Sequence, residues 1–269
     1  MPGDLLVGTQ GWNYQQWMGA FYPEGTRAED YLRLYARAFG TVEVDSTFYA
    51  IPPEKTVRGW AAKVPDSFRF ALKLPQEITH VRRLVDCRDV LEEFVARARV
   101  LGERLGPVLV QFGPEFGPEH RPALERFLPL LPSDISFAVE FRQPGWLTRA
   151  TLSLLGEHRV ALALVEGRWV ARARMLRLAE EPTGEVAYLR LMGPDRALED
   201  FSRIQVDRGP VLTEWASVLA GLAARLARVH VYVNNHFEGH SPGSARKLQA
   251  MLGQTPVEPS TLAEQGELF

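Results

Sequence analysis

Short apolar runs recur along the chain and alternate with stretches of helical spacing. The runs at 5–10, 41–46, 69–75, 107–112, 136–142, 160–166, 186–193 and 229–235 are rich in Val, Leu and Phe. That composition predicts strands covered on both faces. Residues 27–39 place apolar side chains at 28, 31, 32, 35, 36 and 39, the period of one helix face. Residues 90–105, 121–130, 148–158 and 211–227 behave alike; 54–63 form a short helix around Trp60, and 244–252 follow the last strand. Residues 168–181 fit neither pattern.

Eight strands, each followed by a crossover, predict an α/β fold: a TIM-like (β/α)8 barrel of parallel strands. A doubly wound sheet would place a Gly-rich phosphate turn after the first strand. The sequence Gly8-Thr-Gln-Gly11-Trp-Asn does not supply one. The barrel is expected to occupy residues 1–253 as one domain, with 254–269 an exposed, flexible tail.

Functional groups of such barrels gather at the C-terminal ends of the strands. Alternation divides each strand into two faces, the apolar set meeting the helices and the polar set filling the lumen. This gathers Glu43, Asp45, Lys73, Gln111, Glu140, Arg142, Arg190 and Asn234 into one ring. Charges inside a barrel are costly unless paired or used. One reading is a set of structural ion pairs, such as Glu43–Lys73 and Glu140–Arg190. The other is a ligand site, in which Lys73, Arg142 and Arg190 suit an anion such as phosphate. Glu43, Glu140 and Lys73 are then the candidate catalytic acid–base groups.

Residues 8–23, GTQGWNYQQWMGAFYP, are too Gly-rich and aromatic for a helix interior. They predict an ordered loop over the end of the first strand, with Gly8 and Gly11 adopting backbone angles other residues avoid. Trp12 and Tyr14 are candidate ligand contacts, and Trp17 is expected to anchor the loop. Trp146, after the fifth strand, offers a further face for a base or sugar ring. His80 and Asn235, after the third and eighth strands, complete the candidate ligand-binding set.

The 46% hydrophobic and 24% charged composition is that of a soluble globular protein, and the net charge of −2 gives no global case for nucleic acid or membrane. No apolar run approaches the ~20 residues of a membrane span, and no secretory signal follows Met1, so the cytoplasm is expected. The single cysteine, Cys87, excludes an internal disulfide and an all-cysteine metal site. Arg82, Arg83 and Arg88 beside it would lower its pKa; an inert buried thiol is the favoured alternative. The six histidines show no ligand spacing on a helix, so no metal ligand is assigned, a metal ion is not favoured and the cofactor is left unspecified.

Several stretches together resemble the YecE-like family, domain of unknown function 72. They are Gly8-Thr-Gln-Gly-Trp12-Asn-Tyr14 with Trp17 and Phe21-Tyr-Pro23, then Thr41-Val-Glu43-Val-Asp-Ser-Thr47-Phe-Tyr49, Phe70-Ala-Leu-Lys73, Ile78-Thr-His80 and Leu109-Val-Gln111-Phe. Val139-Glu140-Phe-Arg142 with Trp146, Tyr188-Leu-Arg190-Leu-Met-Gly193 and Val231-Tyr-Val-Asn234-Asn235-His236 with Gly239 and Ala245 continue it, so the resemblance runs from residue 5 to about 252. It implies a TIM-like barrel and no settled activity. A distant likeness of that family to endonuclease IV-type barrels implies DNA binding. Two departures stand out: Met192 where the family often has His, and Asp45 where it often has Asn. The first removes a potential ligand, and endonuclease IV-type barrels hold three metals on many His. Metal-dependent phosphodiester cleavage is therefore not expected.

The chain ends Gln265-Gly-Glu-Leu268-Phe269, which resembles the Q-x-x-L-F peptide that docks bacterial repair and replication proteins on the sliding clamp. Gln265, Leu268 and Phe269 are the candidate partner-binding residues. Docking of Leu268 and Phe269 on the chain's own barrel is the competing reading. Three functional expectations follow. The first is a phosphate-bearing ligand, nucleic acid among them, bound at an aromatic-lined mouth by a DNA-repair-associated hydrolase or lyase. The second is a small-molecule enzyme acting on a sugar or sugar phosphate. The third is an adaptor recruited through its tail.

Overall fold

The structure, a computed structural model, describes residues 3–264. Eight parallel strands close into a barrel in sequence order: β1 (Asp4–Gln10), β2 (Thr41–Val44), β3 (Arg69–Lys73), β4 (Leu105–Gln111), β5 (Phe137–Glu140), β6 (Ala161–Gly167), β7 (Val186–Gly193) and β8 (Arg228–Val233). Strand β1 pairs with both β2 and β8, which completes the closure. The crossovers hold α1 (Tyr31–Ala38), α2 (Ser46–Tyr49), α3 (Glu54–Ala61), α4 (Arg88–Ala98), α5 (Arg121–Phe127), α6 (Arg149–Glu157), α7 (Arg172–Leu178) and α8 (Gly209–Ala223), and α9 (Asn235–Glu238), α10 (Ser241–Met251) and α11 (Thr261–Glu264) follow β8. The segment 168–181 resolves into α7. Among the described residues no helix is long and apolar enough to cross a membrane.

The predicted faces hold. Val42, Val44, Phe70, Leu72, Val108, Val110, Val139, Leu189, Leu191, Val231 and Val233 belong to the outer core under the helices. A separate inner cluster holds Ala71, Leu109, Ala138, Ala161, Ala163, Val186, Tyr188 and Tyr232. Alanines on β3, β5 and β6 leave the room that two lumenal tyrosines occupy, so the barrel interior is a packed core.

Helix ends follow local chemistry. Proline stands in the first turn of α5, α8 and α10, where no backbone donor is lost. Thr148 caps α6 by accepting from Thr151 N at 3.2 Å. Strands β2 and β5 are shorter than the sequence pattern suggests. Asp45 therefore leaves the lumenal set and turns the chain into α2, and Arg142 lies beyond the end of β5.

The loop after β1 is ordered by its aromatics. Trp17 is fully buried and donates to Asn235 Oδ1 at 3.2 Å, while Tyr22 donates to the Trp12 carbonyl at 2.6 Å and stacks on Tyr31. Gly11 adopts φ +71°, as expected. Gly8 is needed for a different reason: a Cβ there would lie 2.0 Å from the Thr41 carbonyl oxygen of the neighbouring strand.

Of residues 254–262, expected as part of an exposed tail, Thr255, Glu258, Ser260 and Thr261 are exposed, and others contact the rest of the chain. Gln254 donates to the Leu5 carbonyl at 2.8 Å, Arg246 pairs with Glu258, and Leu262 is buried with its carbonyl accepting from Arg37. Gln265, Leu268 and Phe269 fall outside the described residues.

Candidate functional site

The C-terminal ends of the strands bring the lumenal ring together. Gln10 and Glu43 are in register across β1 and β2, and Gln111 and Glu140 across β4 and β5. Arg190 reaches into the ring from β7, beside Val165 of β6. Glu43, Gln111, Glu140 and Arg190 are at most 2% exposed and Lys73 is 8% exposed.

Arg190 is the hub. Its Nε donates to Glu43 Oε2 at 3.0 Å and its Nη2 to Glu43 Oε1 at 2.7 Å. Its Nη1 donates to Glu140 Oε2 at 2.5 Å. Tyr188 adds a hydroxyl donated to Glu43 Oε2 at 2.6 Å, and Arg142 Nε donates to Glu140 Oε1 at 2.9 Å. Asp45, about one-third exposed, stands 3.9 Å from Arg190. Of the two anticipated ion pairs, Glu140–Arg190 forms, and Glu43 takes Arg190 in place of Lys73. Both carboxylates thus spend their oxygens on arginine, and Arg190 is not available for a phosphate.

The two carboxyls are driven apart. Burial pushes Glu43 up, against the pull of Arg190, and Asp45 adds to the rise, to about 6. Burial also pushes Glu140 up, but Arg190 and Arg142 together override it and hold it at about 2. Arg190 is held firmly protonated, its burial outweighed by the carboxylates around it.

Lys73 stands apart from this network. Its backbone is clamped by Thr47, whose Oγ1 accepts from Lys73 N at 3.0 Å and donates to Lys73 O at 2.7 Å. Its Nζ lies 3.8 Å from the ring centroid of Phe48. Among the described residues it pairs with no carboxylate. Burial lowers the ammonium pKa and Arg190 lowers it further; Asp45, Glu140 and Glu43 offset part of this and leave it at about 8. Of the three candidate catalytic groups, Lys73 is the uncommitted one.

His80 borders the same space, its ring against Phe48 and its Nδ1 bonded to Thr79 Oγ1 at 2.8 Å. Its pKa is lowered by burial, with Lys73 and Arg142 adding to the effect. Tyr14 donates to the Gln10 carbonyl at 3.1 Å and stacks on Trp17. Burial raises its pKa to about 12, with Asp45 and Glu43 contributing.

Four expected ligand contacts are employed otherwise. Trp12 is half-buried, its ring edge-to-face with Trp60 and Phe70. Trp146 is buried, stacked on Phe141 and Phe116, and donates to the Phe116 carbonyl at 2.7 Å. Asn235 Oδ1 accepts from Trp17 and from the amide and hydroxyl of Ser241, which fixes the turn after β8. Asn234 caps α9 through Oδ1 while its amide donates to Gln10 Oε1 at 2.7 Å. Large aromatic surfaces and amide oxygens near strand ends were claimed by packing and capping. Cys87 is buried at the start of α4, and burial raises its thiol pKa above the ordinary value.

Some site residues escape the alternation. Gln10 follows from it once β1 is included, since Gly8 pairs with lumenal Tyr232 and Gln10 lies two residues on. Its amide is wedged among Arg190, Asn234 and Met192. Phe48 and Thr47 come from α2. A cleft at the ends of β5 to β7 is lined by Glu140, Arg142, Arg168, Trp169, Met192 and Arg196, among others. Arg168, Trp169 and Arg196 lie outside the regular strands, where periodicity carries no information. Among the described residues no group of three or more His, Cys, Asp or Glu could hold a metal ion.

Comparison with known proteins agrees with this architecture. Over 145 residues the chain is 33% identical to the UPF0759 protein YecE of Escherichia coli, a match spanning 54% of this chain and about half, 51%, of that relative. The crystal structure of a DUF72 family protein from Thermotoga maritima superposes with a TM-score of 0.78 at 24% identity, covering 93% of this chain and 100% of the other. A DUF72 family protein from Enterococcus faecalis gives 0.73 at 20% identity, covering 94% and 99%. The family model described as "Protein of unknown function DUF72" matches residues 6–266, and the chain belongs to that family.

Proposed function

We propose that the barrel mouth binds a small phosphate-bearing ligand and that Lys73 is the group that acts on it. The observation that carries this reading is the presence of Arg168 and Arg196, exposed and on no carboxylate among the described residues, at the cleft over β5 to β7. Arg142 and Arg168 lie over the ring of Trp169, 5.7 and 4.3 Å from its centroid. Arg196 lines the same cleft, and among the described residues neither Arg168 nor Arg196 pairs with a carboxylate. Glu140 is saturated by arginine, and Asp195 turns Oδ1 to the amide of Ala197. Guanidinium forks in this position suit phosphate oxygens. A small ligand is favoured over nucleic acid because Trp146 is buried and the Trp169 ring is covered by Arg142 and Arg168, so neither offers a free face for stacking bases.

The test is calorimetric titration of the full chain with inorganic phosphate and glycerol 3-phosphate at low salt. Arg168→Ala with Arg196→Ala should weaken binding about tenfold or more, worth roughly 1.4 kcal/mol. Arg126→Ala, on an exposed helix surface, should leave it unchanged. Absence of any binding, or a gel shift with single-stranded oligonucleotide but no response to the small phosphates, would overturn the reading.

A further inference from the structure

We infer that Lys73 is a nucleophilic lysine that condenses with the carbonyl group of the bound ligand, so that the substrate class is a phosphorylated aldehyde or ketone. This rests on the phosphate-binding reading above and assigns the other end of the ligand. The Lys73 main chain is fixed on both sides by one threonine hydroxyl, which sets the origin of the side chain at the strand end. Its Nζ lies 3.8 Å from the Phe48 ring centroid, and Lys73 is 8% exposed. Of the carboxylates that act on it, Glu43 and Glu140 are bound by Arg190 and Arg142, and Asp45 makes no ion pair with it among the described residues. Lys73 does not line the cleft that holds Arg168 and Arg196, but Glu140 lines it and also acts electrostatically on Lys73, which assigns the lysine to the other end of the ligand. A lysine desolvated among cations is the usual form of an amine nucleophile.

The chemistry balances without a further reactant. The neutral amine attacks the carbonyl carbon, forming a C–N bond as the C=O π pair moves to oxygen. A proton passes from nitrogen to that oxygen, giving a carbinolamine. The C–O bond then breaks, and the hydroxyl leaves as water with the remaining N–H proton. The sum is amine plus carbonyl giving imine plus water. These protons are exchanged through solvent at the mouth, where Asp45 and His80 act electrostatically on Lys73. Protonated, the imine withdraws electrons from the adjacent carbon, which favours proton abstraction or C–C cleavage there.

The chain has four lysines, at 55, 63, 73 and 247, so an adduct is readily assigned. The full chain is incubated with glyceraldehyde 3-phosphate, or with unphosphorylated glyceraldehyde, and reduced with borohydride; the adduct is located by peptide mass mapping. Expected is an adduct on Lys73 exceeding that on exposed Lys55 by about tenfold or more, with the phosphorylated probe much the faster. Lys73→Arg should abolish it, and the wild-type ratio stands by itself if that variant does not fold. Adducts spread over Lys55, Lys63 and Lys247 with Lys73 unmodified would overturn the inference; if phosphate still binds, the site reading survives. Equal labelling of Lys73 by both probes upholds the nucleophile and overturns the phosphate reading.

Discussion

Arg190 and Glu43 meet as a bidentate ion pair that is almost wholly shielded from solvent, although they stand 147 positions apart in the chain. Together with Glu140 they form an arginine between two carboxylates, held where desolvation is severe. Such a group adds little net stability, but removing one partner leaves buried charge unmatched. Arg190→Met should therefore destabilise the fold by about 3–5 kcal/mol in urea denaturation. Arg190→Lys keeps the charge but not the fork, and should recover only part of the loss. A cost below about 1 kcal/mol for Arg190→Met would mean that the network is not tightly coupled.

Lys73 should show the opposite sign. Its folded pKa of about 8 lies below the ordinary 10.5, so between those values only the unfolded chain holds the proton. Stability contributed by this group rises with pH through that window, and below pH 8 the buried ammonium costs on the order of 3 kcal/mol. Lys73→Met should stabilise the protein at pH 7 by about 1–3 kcal/mol and remove that rise between pH 8 and 10.5. Thermal melts of both proteins across pH 7–11 test this. Lower stability of Lys73→Met at pH 7 would assign Lys73 a structural role.

Gly8 is required by close approach of β1 to β2. Gly8→Ala drives a Cβ to within 2.0 Å of the Thr41 carbonyl, so backbone must shift. A loss of about 3 kcal/mol or more is expected from such overpacking of rigid backbone. Amide hydrogen exchange should show weakened protection concentrated at β1 and β2. Protection lost evenly over all eight strands would point elsewhere.

Arg159 ends α6 in the left-handed conformation, at φ +54°. Val160 N bonds to Leu155 O and Arg159 N to Gly156 O, the paired pattern that ends many helices on glycine. The Arg159 side chain is 79% exposed and stands 4.0 Å from Glu185. Arg159→Gly should raise stability by about 0.5–1 kcal/mol, read as an increase in melting temperature. A decrease would show that the arginine contributes more than its backbone costs.

The sequence by itself determined the strand count, the parallel barrel and the division of each strand into an outward apolar and an inward polar face. It could do so because these features repeat at short, regular intervals. Glu43, Lys73, Gln111, Glu140 and Arg190 were placed together on that basis alone. Only the tertiary structure decided how those charges combine. Arg190 is brought to Glu43 and to Glu140, 147 and 50 residues distant, and so leaves Lys73 without a carboxylate partner among the described residues. Burial likewise took Trp146 for packing and Asn235 for a turn, because local sequence does not say which side of a loop faces the core. The aromatic loop after β1 was legible as a loop, but its work is to seal the barrel end through Trp17, with Tyr14 left beside the ring.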